Sequence, residues 1–387
     1  MKKLLLLTTI VLLAITTQAK IWRVNNNPAL DGDVLQVSTL FDNTNNATNP
    51  EAANGDSIYV EPSSLSYTNF IVNKQVSIFG YGYFLAQNTG MQANAQNAFT
   101  NQVEFVAASA GSTISGFQVN GTIFTTNVSN ITITRCLMTN FQLFGYTANA
   151  TGIRLDKCFI SNVINESSIA VAVTSIGFSM ENCIISATAN SAFNSFGFSQ
   201  KVRGILRNNV FNNGFNLFCF NFYVANNIFI GDLNFGTVAN SGNNVFRNNI
   251  LSHPSNAQNA QVTNTAANSG NLFAQNMAPI FVGATDNTFV AGTTFNNRIQ
   301  IDGTGSDVET RFQLEPAANV ATAGGESGTT FGGATVTTPA CGAFGATDPY
   351  RRGGFPNIPR ITALAVPATV SNGAATMTIS VSSSSNN

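Results

Sequence analysis

Short stretches in the middle of this chain alternate apolar and polar residues at period two, as in Ile131-Thr132-Ile133, and Asn or Gly breaks the alternation after each stretch. Such alternation, rich in β-branched residues, predicts strands with one buried face and excludes helix. Seven stretches align on one another: Ile133 to Cys136, Leu155 to Cys158, Met180 to Cys183, Leu206 to Asn209, Val224 to Asn227, Phe246 to Asn249 and Phe273 to Asn276. Each ends on Cys or Asn, and those residues are 22, 25, 26, 18, 22 and 27 positions apart. An imperfect repeat in this range predicts stacked coils.

Three residues before each Cys or Asn stands an apolar residue. Two residues after it the column reads Met138, Ile160, Ile185, Phe211, Phe229, Leu251 and Ala278. Both columns are predicted to face the core. The column two residues before reads Thr134, Asp156, Glu181, Arg207, Ala225, Arg247 and Ala274, and is predicted to face outward. Parallel strands repeated at one register and joined by turns make an all-β parallel β-helix, a solenoid.

Stacked coils rise about 4.8 Å, so side chains at an inward corner lie above one another. Asn209, Asn227, Asn249 and Asn276 are expected to form a ladder of amide hydrogen bonds, with Cys136, Cys158 and Cys183 as small buried groups in the same column. Each such bond contributes roughly 1 kcal/mol net, whereas a stranded buried amide costs about 1 to 3, so the ladder specifies register more than it stabilises. A metal or catalytic reading of the three cysteines needs a histidine or a paired Cys-x-x-Cys spacing, and neither stands nearby.

Ile114 to Phe117 with Val119 extends the frame upstream, and Gly55 to Val60 and Val76 to Gly82 read as opening coils. The run from Asp56 to Gly82, with a strand ending in Tyr59-Val60 and then Gly80-Tyr81-Gly82, resembles the entry to the right-handed β-helices of the pectin lyase-like superfamily. Phe312-Gln313-Leu314, Cys341 to Gly345 and Asp348-Pro349-Tyr350 resemble the last coil and exit of secreted bacterial β-helix proteins. The resemblance implies a right-handed helix over about residues 55 to 345; these are packing motifs and imply no activity. Pro349 to Arg360 reads as a Pro/Gly-rich strap. The alternating runs Ile361 to Val366 and Thr376 to Val381, flanking Ser371-Asn372-Gly373, predict a closing hairpin over the open end. The expected organisation is a signal peptide at 1–19, a cap region at 20–54, the β-helix at 55–348, and strap plus hairpin at 349–387.

The composition fits a large core: 44% of 387 residues are hydrophobic and 31 are Phe, concentrated between Phe193 and Phe235. Only 9% are charged and the net charge is −1, so no long-range field draws nucleic acid, and none is expected as partner. Lys2 and Lys3, the apolar run Leu4 to Ile15 and Thr17-Gln18-Ala19 read as a secretory signal. No later run reaches the roughly 18 apolar residues of a transmembrane segment. The expected location is secreted, extracellular or at the cell surface. Five cysteines is an odd count; with three in the ladder, Cys219 and Cys341 remain as a candidate pair.

Enzymes of the superfamily just named hold calcium with several Asp beside a basic residue, or use paired carboxylates. The strings Asp-Asp and Gly-His-Gly do not occur, and the single histidine, His253, precedes Pro254 in a turn. Asp156, Glu181 and Arg207 follow one another on the outward column and are the candidate catalytic set, although a surface ion-pair ladder is the favoured reading. Asp302, Asp307 and Glu309 share a glycine-rich loop that partly fits the Gly-Gly-x-Gly-x-Asp calcium repeat; it stands alone, so a solvated turn is favoured and calcium is the only cofactor considered. Tyr146 and Tyr223 are the candidate ligand-stacking residues. The leading expectation is a non-catalytic protein of the cell surface or extracellular matrix, structural, adhesive or glycan-binding, with a polysaccharide or other surface component as partner. The alternatives are a lyase or hydrolase of acidic polysaccharide, and a self-associating filament or sheath subunit.

Overall fold

The computed structural model describes residues 19–27, 30–42, 51–88, 91–186, 195–212, 215–230, 233–234, 242–247, 249–252, 261–263, 272–274, 280–282, 288–290, 309, 330–331, 334–335, 342–344, 348–367 and 377–384. Nearly all regular structure among them is β. Twelve parallel strands, from Ile21–Val24 to Thr288–Val290, stack into one sheet, and a second parallel sheet of 15 strands wraps round the other side. Successive coils therefore form a parallel β-solenoid. Among the described residues no helix is long and apolar enough to cross a membrane.

The register is the one the alternation predicts. Trp22 pairs with Ile58, Ile58 with Ile78, and the file continues through Ile114, Ile133, Leu155, Met180, Leu206, Val224, Phe246 and Phe273 to Phe289. From Trp22 to Val224 every member is buried. After the corner, Val119, Met138, Ile160, Ile185, Phe211 and Phe229 form the facing buried file, and the Phe211 and Phe229 rings stack at 4.7 Å. Contact between the two files makes one continuous core.

At the corner the amide ladder forms. The Asn209 amide donates to Asn227 Oδ1 (2.9 Å) and to the Met180 carbonyl (2.9 Å), and Asn227 repeats the pattern with Asn249 Oδ1 (3.0 Å) and the Leu206 carbonyl (2.9 Å). Backbone N–H groups join in: Cys183 donates to Asn209 Oδ1, and Asn209 to Asn227 Oδ1, both at 2.9 Å. Where the column changes to cysteine, sulfur takes over the acceptor role, and the Cys158 N–H points at Cys183 Sγ at 3.3 Å. Cys136, Cys158, Cys183, Asn209, Asn227 and Asn249 are all buried. Asn276 lies outside the described residues.

Among the described residues, the one just before each ladder position from Cys136 to Asn227 turns the corner in the left-handed region. Arg135, Lys157, Asn182, Asn208 and Asn226 have φ between 51° and 57°, and Gly116 has φ 68°. The pairs Asn208-Asn209 and Asn226-Asn227 therefore divide their labour, since the first Asn tolerates the left-handed turn and the second supplies the rung.

The first strand, Ile21–Val24, lies within the stretch assigned to the cap and already pairs with Ser57–Val60. Asp56 fastens it, accepting from the Lys20 N–H (2.7 Å), Trp22 Nε1 (2.7 Å) and the Ala53 N–H (2.8 Å). The 3₁₀ turn Val37–Phe41 covers the end by burying Val37, Leu40 and Phe41.

After the coils the chain doubles back along the outside of this corner. The Gly342 N–H donates to the Asn226 carbonyl (2.8 Å), Tyr350 reaches Tyr83, and the Tyr83 N–H donates to the Gly353 carbonyl (2.8 Å). The strap thus runs from late coils to early ones. It covers an outer apolar seam of Leu137, Phe159, Ile184, Val210 and Ile228, against which Ala343, Phe344 and Tyr350 pack. Gly116 is a contact point where a Cβ would stand 2.6 Å from Pro356, which requires glycine there. Arg360–Ala365 and Ser380–Ser384 then form the antiparallel hairpin. Because the strap reverses direction, the hairpin lies beside the first coils and not over the last, with the Ala93 N–H donating to the Ile361 carbonyl at 3.0 Å.

Candidate functional site

The structure does bring Asp156, Glu181 and Arg207 onto successive coils in register. It does not leave them exposed: their side chains are about one-tenth accessible, which corrects the outward-facing expectation. Alternation alone turns the column away from the core, but Lys157, bonded to Asp348 of the strap, lies against Asp156, and Glu181 and Arg207 lie against each other. Arg207 pairs with Glu181, and Lys157 Nζ lies 3.0 Å from Asp156 Oδ2 and also bonds Asp348 of the strap. Burial acts to lower the Arg135 pKa, opposed by Asp156 and Asp348. Burial alone would raise the Asp348 carboxyl, yet the hydrogen bond and charge of Lys157 hold it below its ordinary value. These charges are spent on one another, and the arrangement fastens the strap.

Tyr146 is a core residue, fully buried with its hydroxyl donating to the Val128 carbonyl at 3.1 Å, so it offers no stacking platform. Tyr223 is half-buried, on the strand Phe222–Ala225. Asp302 and Asp307 lie outside the described residues. Glu309 is buried, accepting from Asn88 Nδ2 (2.8 Å), the Tyr350 hydroxyl (2.5 Å) and the Gly353 N–H (3.0 Å). It is not a solvated turn residue: its carboxylate gathers the strap and an early loop. Among the described residues no three His, Cys, Asp or Glu side chains cluster as metal ligands. Cys219 is a free, buried thiol, with Sγ 3.5 Å from Asn244 Oδ1, and Cys341 lies outside the described residues.

A cleft of about 580 Å³ lies elsewhere, between the first coils and the returning chain. Its floor is the outward file of the opening strands, Arg23 and Tyr59, with Tyr59 stacked on Phe79 at 5.2 Å. Phe355, Pro356, Ile358 and Pro359 of the strap line it, as do Gln92 and Asn94 of an early loop. The Arg23 guanidinium bonds Glu61 Oε1 at 3.0 Å, and Glu61 raises the Arg23 pKa. Burial, followed by the Glu61 charge, pushes the Tyr81 phenol up to about 12, so it stays a neutral donor at physiological pH.

Arg360 closes the cleft. Its Nε donates to the Met91 carbonyl at 2.8 Å and its guanidinium lies 4.5 Å over the Phe355 ring, while Nη1 is buried with no hydrogen-bond partner. A mainly apolar hollow with a few convergent polar groups suits a small ligand. Glu61 is the only carboxylate among the described lining residues, and it is paired.

Sequence reasoning missed this cleft because its walls come from opposite ends of the chain. The local signals were present in Gly80-Tyr81-Gly82 and in the proline-rich strap, both of which read as packing features. Comparison of the chain with family models, with curated proteins and with solved structures returned no match.

Proposed function

We propose that this chain is an exported, non-catalytic β-helix protein of the cell surface or extracellular matrix, whose adhesive or structural role rests on holding a glycan in the cleft between the first coils and the strap. The observation that carries the reading is the Arg360 guanidinium stacked on Phe355 in the wall of a mainly apolar cleft whose floor is Tyr59. A sugar ring offers an apolar face to Tyr59 and Phe355, and hydroxyl oxygens to Arg360 and Arg23. The burial of Asp156 beside Lys157 and of Glu181 beside Arg207 supports binding over polysaccharide cleavage on that column.

Export rests on the leader-like pattern of residues 1–19. Kinship with the pectin lyase-like superfamily belongs to the same proposal and is supported by the parallel solenoid and the glycine-marked entry coil. Calcium plays no part in it.

Calorimetric titration of the full chain with neutral and acidic oligosaccharides tests the reading. Saturable binding, weakened at least tenfold by Tyr59→Ala and by Arg360→Gln, is expected. Binding indifferent to both variants would move the site elsewhere. Release of reducing or unsaturated sugar ends that disappears in Asp156→Ala would replace binding with catalysis.

A further inference from the structure

Asp56 holds a buried carboxylate whose hydrogen-bond donors are all neutral. The residue is only 2% exposed. Its Oδ1 accepts from the Lys20 N–H at 2.7 Å, and its Oδ2 accepts from Trp22 Nε1 at 2.7 Å and from the Ala53 N–H at 2.8 Å. Among the described residues no Lys, Arg or His side chain forms an ion pair with it. The Lys20 ammonium points elsewhere, 3.2 Å over the centre of the Trp22 ring. Burying a carboxylate without a cation is costly, and neutral donors offset that cost only in part.

The chain itself carries the means to supply the charge. The nitrogen aimed at Asp56 belongs to the peptide bond between Ala19 and Lys20, and both residues are exposed. Lys20 is fixed from its other side as well, because its carbonyl accepts from the Ser57 N–H at 2.9 Å. Thr17-Gln18-Ala19 ends the leader-like pattern on a small residue at this same bond. Hydrolysis of the bond by a leader peptidase consumes one water, leaves a carboxylate on Ala19 and frees an α-amine on Lys20, which takes up a proton at neutral pH. The nitrogen already stands beside Asp56 Oδ1, so the new ammonium pairs with it where it lies. A cut one residue later, before Ile21, would remove that nitrogen.

We infer that removal of residues 1–19 creates an amino-terminal ammonium on Lys20 that pairs with buried Asp56 and locks the first strand onto the second. A charge-assisted bond replaces a neutral one and is roughly twice as strong. It acts on Ile21–Val24, the outermost strand of its sheet, where a solenoid frays first. The inference rests on the export reading of residues 1–19.

Sequencing the amino terminus after expression of the full chain in a bacterial secretion host is the first test. An exported protein that begins at Lys20 is expected. One that begins elsewhere, or keeps residues 1–19, would overturn the lock and leave export standing; absence from the exported fraction would sink both. The second test is acylation of the Lys20 α-amine near neutral pH, read by mass spectrometry. It should proceed at least tenfold more slowly in the folded protein than in urea, a comparison that needs no variant. Asp56→Asn keeps the size and an acceptor oxygen without the charge, and should restore fast reaction. Asp33→Asn, at the carboxylate that accepts from the Arg23 N–H, should leave the protection intact. Equal reactivity in folded and unfolded protein, protection that survives Asp56→Asn, or equal loss in Asp33→Asn would each overturn the inference.

Discussion

The hydroxyl of Tyr83 lies 2.7 Å from that of Tyr350, a residue 267 positions later in the chain. Both rings are fully buried in the outer seam, and the Tyr350 hydroxyl also donates to Glu309. An early coil and the returning strap are thereby joined through one buried polar network. Its neighbours are apolar, so each missing partner is felt in full.

Tyr350→Phe is expected to lower stability by about 1 to 3 kcal/mol in urea unfolding, since it removes one donor from buried Glu309 and one partner from Tyr83. Tyr83→Phe, which leaves the bond between Tyr350 and Glu309 in place, should cost less. A double-mutant cycle that shows no coupling between the two would separate the residues energetically.

Alkaline pH should loosen the same network. Burial raises the phenols of Tyr83 and Tyr350 well above their ordinary value of 10. Above pH 10 the unfolded chain therefore binds fewer protons than the folded one, so stability falls as pH rises. The variant carrying Tyr83→Phe and Tyr350→Phe is expected to show a shallower alkaline loss in thermal melts; an unchanged slope would contradict the assignment.

In the ladder, Asn227→Leu strands the Asn209 N–H and the Leu206 carbonyl, and should cost about 1 to 3 kcal/mol for each group that finds no water. Cys183→Asn, by contrast, extends the amide column by one rung toward the Cys158 N–H and should change stability by less than about 1.5 kcal/mol. Denaturant midpoints of the two variants check both statements.

Arg207→Ala leaves Glu181 as a buried charge without its guanidinium, and is expected to destabilise by about 3 to 5 kcal/mol. Replacing both with Met and Leu should recover much of that loss. A surface ion pair would give under about 1 kcal/mol for the single change, so the measurement distinguishes a buried column from an exposed one.

The core was legible in the sequence to the extent that period-two alternation reports it. The file from Ile133 to Phe273, the facing file from Met138 to Leu251 and the ladder column all follow from spacing and stand in register. What alternation misassigned was the outside of the solenoid. Leu137, Phe159, Ile184, Val210 and Ile228 immediately follow the ladder residues and fall on the outward phase, yet they are apolar because the strap packs on them. That doubled apolar pair after each corner was a readable sign that something covers the strand from outside. Asp156 was misassigned because Lys157, held by the strap, covers it, and Glu181 because Arg207 folds against it. Which segment provides the cover was not readable, because Lys157 and Asp348 meet across 191 positions, and no local pattern carries a contact of that range. The buried Glu309 was equally hidden, since a glycine-rich acidic loop reads as solvated until its hydrogen-bond partners are known.

Amide hydrogen exchange across the strap tests the central claim most directly, namely that the chain returns to seal the corner and its charged column. The amides of Gly342, Tyr350 and Gly353, bonded to the Asn226 carbonyl, the Ala343 carbonyl and Glu309, are expected to exchange as slowly as those of Cys183 and Asn209 in the ladder. Exchange of the strap at the rate of an open loop, with the ladder still protected, would contradict it, and would return Asp156, Glu181 and Arg207 to solvent.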